Sequence, residues 1–236
     1  MGSASANAPP PSIYINITHH NNSVHLCAVS IFARGPRALW RIPIGIMKIE
    51  VLESNDRVMR FNLKDASSAY ANALRRAAMS MVPTFAIDTV TFYENTTPMF
   101  DEYIAHRIGL VPLVTPSKGY TEKDEILFTL EAIGPAKVLS SSLETKDKEV
   151  TPANGNIPLI KMAENQHLRA EGKARMGTGS RHSKFQPGLV TFEENNGVFT
   201  FYVESFGQMP PKEIISKALD ALKEELKETA KDAKKL

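Results

Sequence analysis

One stretch, residues 65–113, constrains the fold of this chain more than any other. Asp65 is a good helix N-cap, and small apolar residues then recur at helical spacing until Pro83 interrupts the pattern. A run rich in β-forming residues follows at 85–93, and a second short helix is predicted at 101–109. Because the first helix's apolar stripe is mostly alanine, another backbone can approach it closely.

The same stretch carries a long motif: NALRR at 72–76, VPT at 82–84, AID at 86–88 and DEYIAHRIGLVPL at 101–113. This motif resembles the signature of the RNA polymerase assembly subunits. That family comprises the archaeal D-type subunit, the third-largest subunit of eukaryotic RNA polymerase II and the amino-terminal domain of the bacterial alpha subunit. The resemblance is strongest to the archaeal D-type members and covers residues 47–236.

Composition limits the other function classes. The chain has 236 residues, of which 42% are hydrophobic and 23% charged, as in ordinary globular proteins. A net charge of +2 gives no global attraction to nucleic acid or to an anionic membrane. The only cysteine, Cys27, excludes a disulfide framework and a cysteine-built metal site within the chain. With no apolar run of about 20 residues, we predict a cytoplasmic protein without membrane association.

The first 46 residues differ from the rest. They open with MGSASANAPPPS, which is small and proline-rich and therefore predicts disorder. Since the resemblance begins at Met47, we expect residues 1–46 to be a mis-assigned extension, with a lineage-specific tail as the alternative.

The two ends of the remaining chain are each predicted to contain a β-hairpin and an amphipathic helix. From Met47 the apolar residues alternate up to Leu63, which predicts a hairpin. Asn195-Asn196-Gly197 predicts a second hairpin, before a last helix that Pro210 and Pro211 open. We therefore predict an α+β fold. A discontinuous dimerisation domain (47–82 with 188–236) combines antiparallel strands with two amphipathic helices, and a mixed, mainly β insert domain occupies 83–187.

The resemblance implies a non-catalytic assembly subunit of an archaeal DNA-dependent RNA polymerase. Such a subunit pairs with a smaller L-type subunit, recruits N- and P-type small subunits and supports the two large subunits, which hold the nucleotidyltransferase chemistry. DNA is then contacted only through the complex. Members with a ferredoxin-like insert carry an iron–sulfur cluster; this chain lacks the cysteines, so neither that domain, nor a metal, nor any other cofactor is expected.

The resemblance and the helical stripes together give the site residues. The predicted heterodimer interface comprises Ala69, Ala73, Leu74, Ala77, Ile215, Leu219, Leu222 and Leu226. The predicted contacts to a large subunit are Arg75, Arg76, Arg181, His182 and Lys184. No catalytic residue is predicted.

Two other classes of function stay open at this point. Glu102 and His106 share a helical face and could be half of a metal-dependent hydrolase site, although a local structural role explains them more simply. The basic, glycine-rich loop 169–184 could bind nucleic acid in a stand-alone protein. It lacks the interleaved aromatic residues that single-strand binding needs.

Overall fold

The computed structural model describes residues 13–14, 30–31, 47–121 and 123–235. The predictions of disorder or of a mis-assigned extension at 1–46 fall almost wholly outside the described residues, as do Cys27 and Glu122. In chain order the strands and helices are β1 (Ile13–Tyr14), β2 (Ser30–Ile31), β3 (Lys48–Ser54), β4 (Val58–Lys64), α1 (Ser68–Ser80), β5 (Pro83–Asn95), α2 (Asp101–Gly109), β6 (Glu125–Ile133), β7 (Ala136–Leu139), β8 (Glu144–Thr145), β9 (Pro158–Met162), β10 (His167–Thr178), β11 (Gly188–Asn195), β12 (Val198–Ser205) and α3 (Pro211–Ala233). The fold is α+β, as predicted.

Both ends of the chain beyond residue 47 contribute to one antiparallel sheet, with the strand order β11-β12-β4-β3. On β4, Met59, Phe61 and Leu63 are buried while the residues between them are not, which is the two-residue period of a strand with one covered face. Helices α1 and α3 cover that face, and Phe61 stacks on Phe201 of β12 at a centroid distance of 4.8 Å.

A two-residue turn closes the last hairpin. Asn195 pairs with Val198, and the two residues between them, Asn196 and Gly197, have φ angles of 51° and 76°. Positive φ at both central positions is what an Asn-Gly hairpin turn requires. The predicted hairpin is confirmed.

Helix α1 begins later than predicted. Asp65 is not the N-cap: it has a φ of 58° and lies in the turn before the helix. Ser67 caps α1 instead, and its Oγ accepts a hydrogen bond from the Tyr70 N–H at 3.2 Å. Both residue types are good caps, so only the backbone path distinguished them.

Between the two ends lies a second antiparallel sheet, with the strand order β5-β10-β6-β8. Helix α2 packs on β5, and β7 pairs with β9 in a separate two-stranded ribbon. The close approach of β5 and β10 explains Gly172, since a Cβ there would lie 2.9 Å from Cγ2 of Ile87. Strands β6 and β7 contain the β-forming runs 126–132 and 137–139 of the sequence.

The buried apolar side chains form two clusters. One contains residues between 85 and 174, and the other contains residues from 59–82 and 190–218. The covalent connections between them run through 83–84 and 175–189. Within the described part of the chain, no helix is both long and apolar enough to span a membrane.

Candidate subunit interface

Helix α1 has a buried face of small side chains. It packs against α3 and β11 through Ala71, Leu74, Ala77 and Ala78, all of which have at most 1% of their surface exposed. Of the other predicted interface residues on this helix, Ala69 is exposed and Ala73 is half-buried. The alanine stripe thus lets α1 lie close to its own neighbours, and only its margin faces outward.

Helix α3 changes character along its length. Its first two turns are fixed in the core by Pro211, Ile214, Ile215 and Ala218. Leu219 and Leu222 are half-buried, and Leu226 is 61% exposed. From Lys223 onward the helix is almost entirely exposed, so its C-terminal half extends past the core that holds its beginning.

Strand β3 is the uncovered edge of the same sheet. All seven of its residues are exposed, and Ile49 and Val51 are 52% and 57% exposed. They pair with Leu63 and Phe61, which are buried, so Ile49 and Val51 lie on the helix-covered face but beyond the helices. The alternating pattern of β3 was visible in the sequence and predicted a strand. That pattern could not show that α1 and α3 leave this strand exposed.

Three predicted interface residues need correction. Leu74, Ala77 and Ile215 are only 0%, 1% and 6% exposed, and they pack inside the chain's own core. The geometry does not support direct contact with a partner at these positions, because almost no side-chain surface is left to bury. A helical stripe in the sequence does not reveal which of two neighbours, the chain's own sheet or a partner, covers each position.

The paired arginines of α1 lie in different surroundings. Nε and Nη2 of Arg75 donate to Oδ1 of Asn72 at 3.1 and 2.9 Å, which holds this half-buried guanidinium along the helix. Arg76 is exposed. Neither arginine has a salt bridge to any residue within 47–121 or 123–235, so Arg76 in particular keeps its donors available.

The glycine-rich loop, defined here as 177–187 and including the last two residues of β10, is held to β5 by ion pairs. Nζ of Lys184 lies 2.7 Å from Oδ1 of Asp88 and donates to the Ile87 carbonyl at 3.2 Å. Nη2 of Arg181 lies 2.9 Å from Oδ2 of the same carboxylate. The hydrogen bond from Lys184 is the main reason that the pKa of Asp88 is lowered from its ordinary value. The Lys184 side chain is only 13% exposed and is engaged in this internal ion pair, so the geometry gives no support to its predicted contact with a large subunit.

Packing explains the glycines of this loop. A Cβ on Gly177 would lie 2.8 Å from the ring of the buried Phe185, and one on Gly179 would lie 2.1 Å from the Met79 carbonyl oxygen. The loop also lies against the end of α1, where the Ser180 N–H donates to the Ser80 carbonyl at 2.9 Å. These glycines permit close contact within the chain, and no anion is needed to account for them.

Comparison with known proteins assigns the chain to a family. The family model described as the RNA polymerase Rpb3/RpoA insert domain matches residues 86–191. The DNA-directed RNA polymerase subunit Rpo3 of Methanocaldococcus jannaschii is 42% identical over 164 residues, covering 69% of this chain and 83% of the relative. The subunit Rpo3 of Halobacterium salinarum is 32% identical, covering 74% and 92%. The chain belongs to the archaeal Rpo3 family.

Not every Rpo3 relative is covered to the same extent. The subunit Rpo3 of Pyrococcus furiosus is 42% identical over 153 residues, covering 62% of this chain. The chain spans only 59% of the length of that relative and 60% of the length of the Thermococcus kodakarensis one.

The hydrolase alternative finds no support in this Rpo3-family chain. Glu102 and His106 lie on α2 and are both exposed, without a hydrogen bond between them. No group of three or more His, Cys, Asp or Glu side chains among the described residues could hold a metal ion.

The nucleic-acid alternative also rested on a wrong local structure. Most of 169–184 is not a loop: residues up to Thr178 belong to β10. Three of its five Lys and Arg residues are paired internally: Arg175 with Glu125, and Arg181 and Lys184 with Asp88. Arg169 and Lys173 are exposed without a salt bridge to a described residue, but they lie on β10 and not in a glycine-rich loop.

Proposed function

We propose that this chain is a non-catalytic assembly subunit of an archaeal DNA-dependent RNA polymerase. Its membership of the Rpo3 family supports this role, because the relatives are named as DNA-directed RNA polymerase subunits. Nucleotidyl transfer then belongs to the whole complex, whose large subunits hold the catalytic magnesium. DNA is contacted only through that complex, in the cytoplasm.

The partner that covers the exposed apolar residues of β3, α3 and α1 is an L-type small subunit. The observation that carries this proposal is the exposure of Ile49 and Val51 on the face of the sheet where Leu63 and Phe61 are buried. Leu226 on the exposed half of α3 and Ala69 at the margin of α1 are further exposed apolar residues of the same helices and sheet. Obligate pairs typically bury about 2,000 Å² or more of such surface.

The predicted interface is revised accordingly. We keep Ala69, Ala73, Leu219, Leu222 and Leu226 in it and add Ile49, Val51 and Leu52, whose exposure supports the addition. Leu74, Ala77 and Ile215 are left out, because they pack in the chain's own core.

The domain organisation stays a proposal. We divide the chain into 47–82 with 188–236 for pairing and 83–187 as the insert. The two separate buried clusters support this division, and so does a family model of an insert domain that matches 86–191.

The large subunits are proposed to contact α1 and the outer side of the 177–187 loop. Arg76 is exposed, the Arg181 side chain is 57% exposed although it pairs with Asp88, and His182 is exposed. A planar guanidinium with unused donors suits a carboxylate or carbonyl of a partner. Arg75 contributes one side of its guanidinium, and N- and P-type small subunits join the same assembly.

We further propose that the chain binds no iron–sulfur cluster. No cysteine follows Cys27 in the sequence, and only Gln186 and Pro187 separate the Ser183–Phe185 turn from β11. Iron measured in the purified heterodimer should be far below one atom per chain; a stoichiometric amount would contradict the proposal.

Co-expression tests the main proposal. The chain should co-purify with an L-type subunit of the same organism as a one-to-one complex in native mass spectrometry. Adding the N- and P-type and large subunits should then give an active polymerase that does not assemble without this chain. A stable monomer that ignores the L-type subunit would contradict it.

A further inference from the structure

A second surface lies on the insert, away from the candidate interface. A cavity of about 240 Å³ opens between α2 and the β7–β9 ribbon. Its lining is mostly aliphatic and is completed by three cations: Met99, Pro158, Leu159 and Ile160 with Arg107, Lys137 and Lys161. No carboxylate is part of this lining.

The positive charge at this cavity is unbalanced. Lys137 and Lys161 are directly opposite each other in the β7–β9 register, and both are exposed. Like charges placed directly opposite destabilise a strand pair. Neither lysine has a salt bridge to a described residue, so nothing in that part of the chain offsets their repulsion. An anionic occupant between them would.

Arg107 adds a third cation at the same place. Its Nη2 donates to the Pro158 carbonyl, which ties α2 to β9. Its Nε is enclosed and has no acceptor among the described residues. The guanidinium thus adds a positive charge to the lining of the cavity, and its side chain has no carboxylate partner among the described residues.

Two exposed aromatic residues at the start of α2 are close in sequence to residues that line the cavity. Phe100, next to Met99 at the start of the helix, is 78% exposed, and Tyr103, one turn before Arg107, is 61% exposed. Large exposed aromatic side chains beside an apolar pocket are typical of protein-binding surfaces.

The size of the cavity narrows the choice of occupant. Pockets for whole small molecules usually measure about 300–1,000 Å³, so 240 Å³ suits one apolar side chain better than a cofactor. A nucleic acid strand needs a groove that follows its backbone, whereas here the cations surround an aliphatic hollow.

We propose that this cavity binds an acidic segment of another protein chain. One apolar side chain of that segment enters the hollow, carboxylates on either side of it pair with Lys137 and Lys161, and Phe100 and Tyr103 cover its flank. The surface is separate from the proposed L-type interface and does not depend on that assignment.

Selection from a random peptide library tests this. The full chain, bound to its L-type partner if it needs one, is the target, with Lys137→Glu/Lys161→Glu as one variant. Lys146→Glu/Lys148→Glu is the matched control, because it makes the same charge change at exposed lysines outside the cavity. Wild type and control should both enrich peptides with Asp or Glu around a single Leu, Ile or Phe.

Fluorescence anisotropy on an enriched peptide then gives the affinities. Reversing the charge at Lys137 and Lys161 should weaken binding about tenfold or more. Replacing the peptide's apolar residue by Ser, or its acidic residues by the corresponding amides, should have an effect of the same size. Phe100→Ala should weaken it less. The proposal is overturned if enriched peptides lack acidic residues, if binding is indifferent to Lys137 and Lys161, or if a single-stranded oligonucleotide displaces the peptide from this site.

Discussion

Lys184 lies in a loop whose glycine and basic content suggests a surface function, yet it faces inward. Its ammonium group contacts Asp88 and lies 5.2 Å from the ring centroid of the buried Phe185. A cation held between a carboxylate and an aromatic face is desolvated and therefore interacts strongly. Arg181 binds the same carboxylate from the solvent side, where water weakens the attraction.

The two cations should therefore differ in their effect on stability. Lys184→Met should lower the free energy of unfolding by about 1–3 kcal/mol, because it removes a charged hydrogen bond from a mostly buried carboxylate. Arg181→Met, the matched control, should cost less than about 1 kcal/mol. Urea denaturation of both variants measures this. Equal costs would show that Lys184 is not the fastening residue.

Asp88 makes this contact dependent on pH. Its pKa is lowered from 3.8 in the folded chain, chiefly by the Lys184 hydrogen bond, so the folded state favours the carboxylate. That stabilisation is fully present above the unfolded pKa and is lost as the pH falls through the lower, folded pKa. The destabilisation caused by Asp88→Asn should be constant between pH 7 and pH 5 and should shrink below pH 3.8. An unchanged difference at pH 3 would contradict the assignment.

Among the elements, α3 and β3 both extend beyond the buried core of their sheet. The core buries the first turns of α3 up to Ala218, and the sheet's helix cover stops at β4. Both elements carry apolar side chains beyond that limit. Exposing these side chains to water does not stabilise an isolated chain. These exposed apolar side chains favour an interface over a free surface.

Charge introduced on either element should break the proposed heterodimer. Val51→Lys or Leu226→Lys should weaken binding of the L-type subunit about tenfold or more, because a partner would bury an unpaired ammonium. Leu189→Lys is the control: this residue is 41% exposed on β11 and adjoins the buried Val190, so it lies on the opposite face of the sheet. Analytical ultracentrifugation gives the affinities. An equal loss in the control would count against this surface.

At the scale of the whole molecule, the two apolar clusters meet through polar groups. Oγ1 of Thr115 accepts the Phe85 N–H at 3.0 Å, and its own N–H donates to the Gln208 carbonyl at 2.8 Å. Oγ1 of Thr84 donates to the Phe185 carbonyl at 2.6 Å. Because Thr84, Thr115 and Gln208 are all buried, these bonds fix the junction in a way that apolar contacts, which lack direction, would not.

Thr115→Val tests the junction without changing its shape. The substitution leaves the buried Phe85 N–H without an acceptor and should cost about 1–3 kcal/mol in unfolding free energy. Thr191→Val on the exposed surface of β11 should stay within about 0.5 kcal/mol. Thermal denaturation in parallel compares them, and similar melting temperatures would show that the hydroxyl is dispensable.

Arg76 belongs to this scale as well, since its effect should appear only in the assembly. Arg76→Ala removes an exposed side chain, so the fold and the L-type heterodimer should stay within about 0.5 kcal/mol of wild type. Recovery of the large subunits in reconstituted polymerase should fall. If the heterodimer itself dissociates, the arginine serves that interface instead.

The sequence by itself determined the elements and the family. Local rules were sufficient for the Asn196-Gly197 turn, for α2 and for most strands, because the period of apolar residues and the turn chemistry are properties of short segments. The motif at 72–113 likewise identified the family, and the Rpo3 relatives bear it out.

Only the tertiary structure decided which face of each element is covered, and by what. Leu74 and Leu226 are the same residue type on two amphipathic helices, yet one is fully buried and the other 61% exposed. Lys184 and Arg76 are both cations beside apolar residues, yet one closes an internal ion pair and the other is exposed. Burial depends on contacts between segments far apart in the chain, and a local pattern carries no information about them.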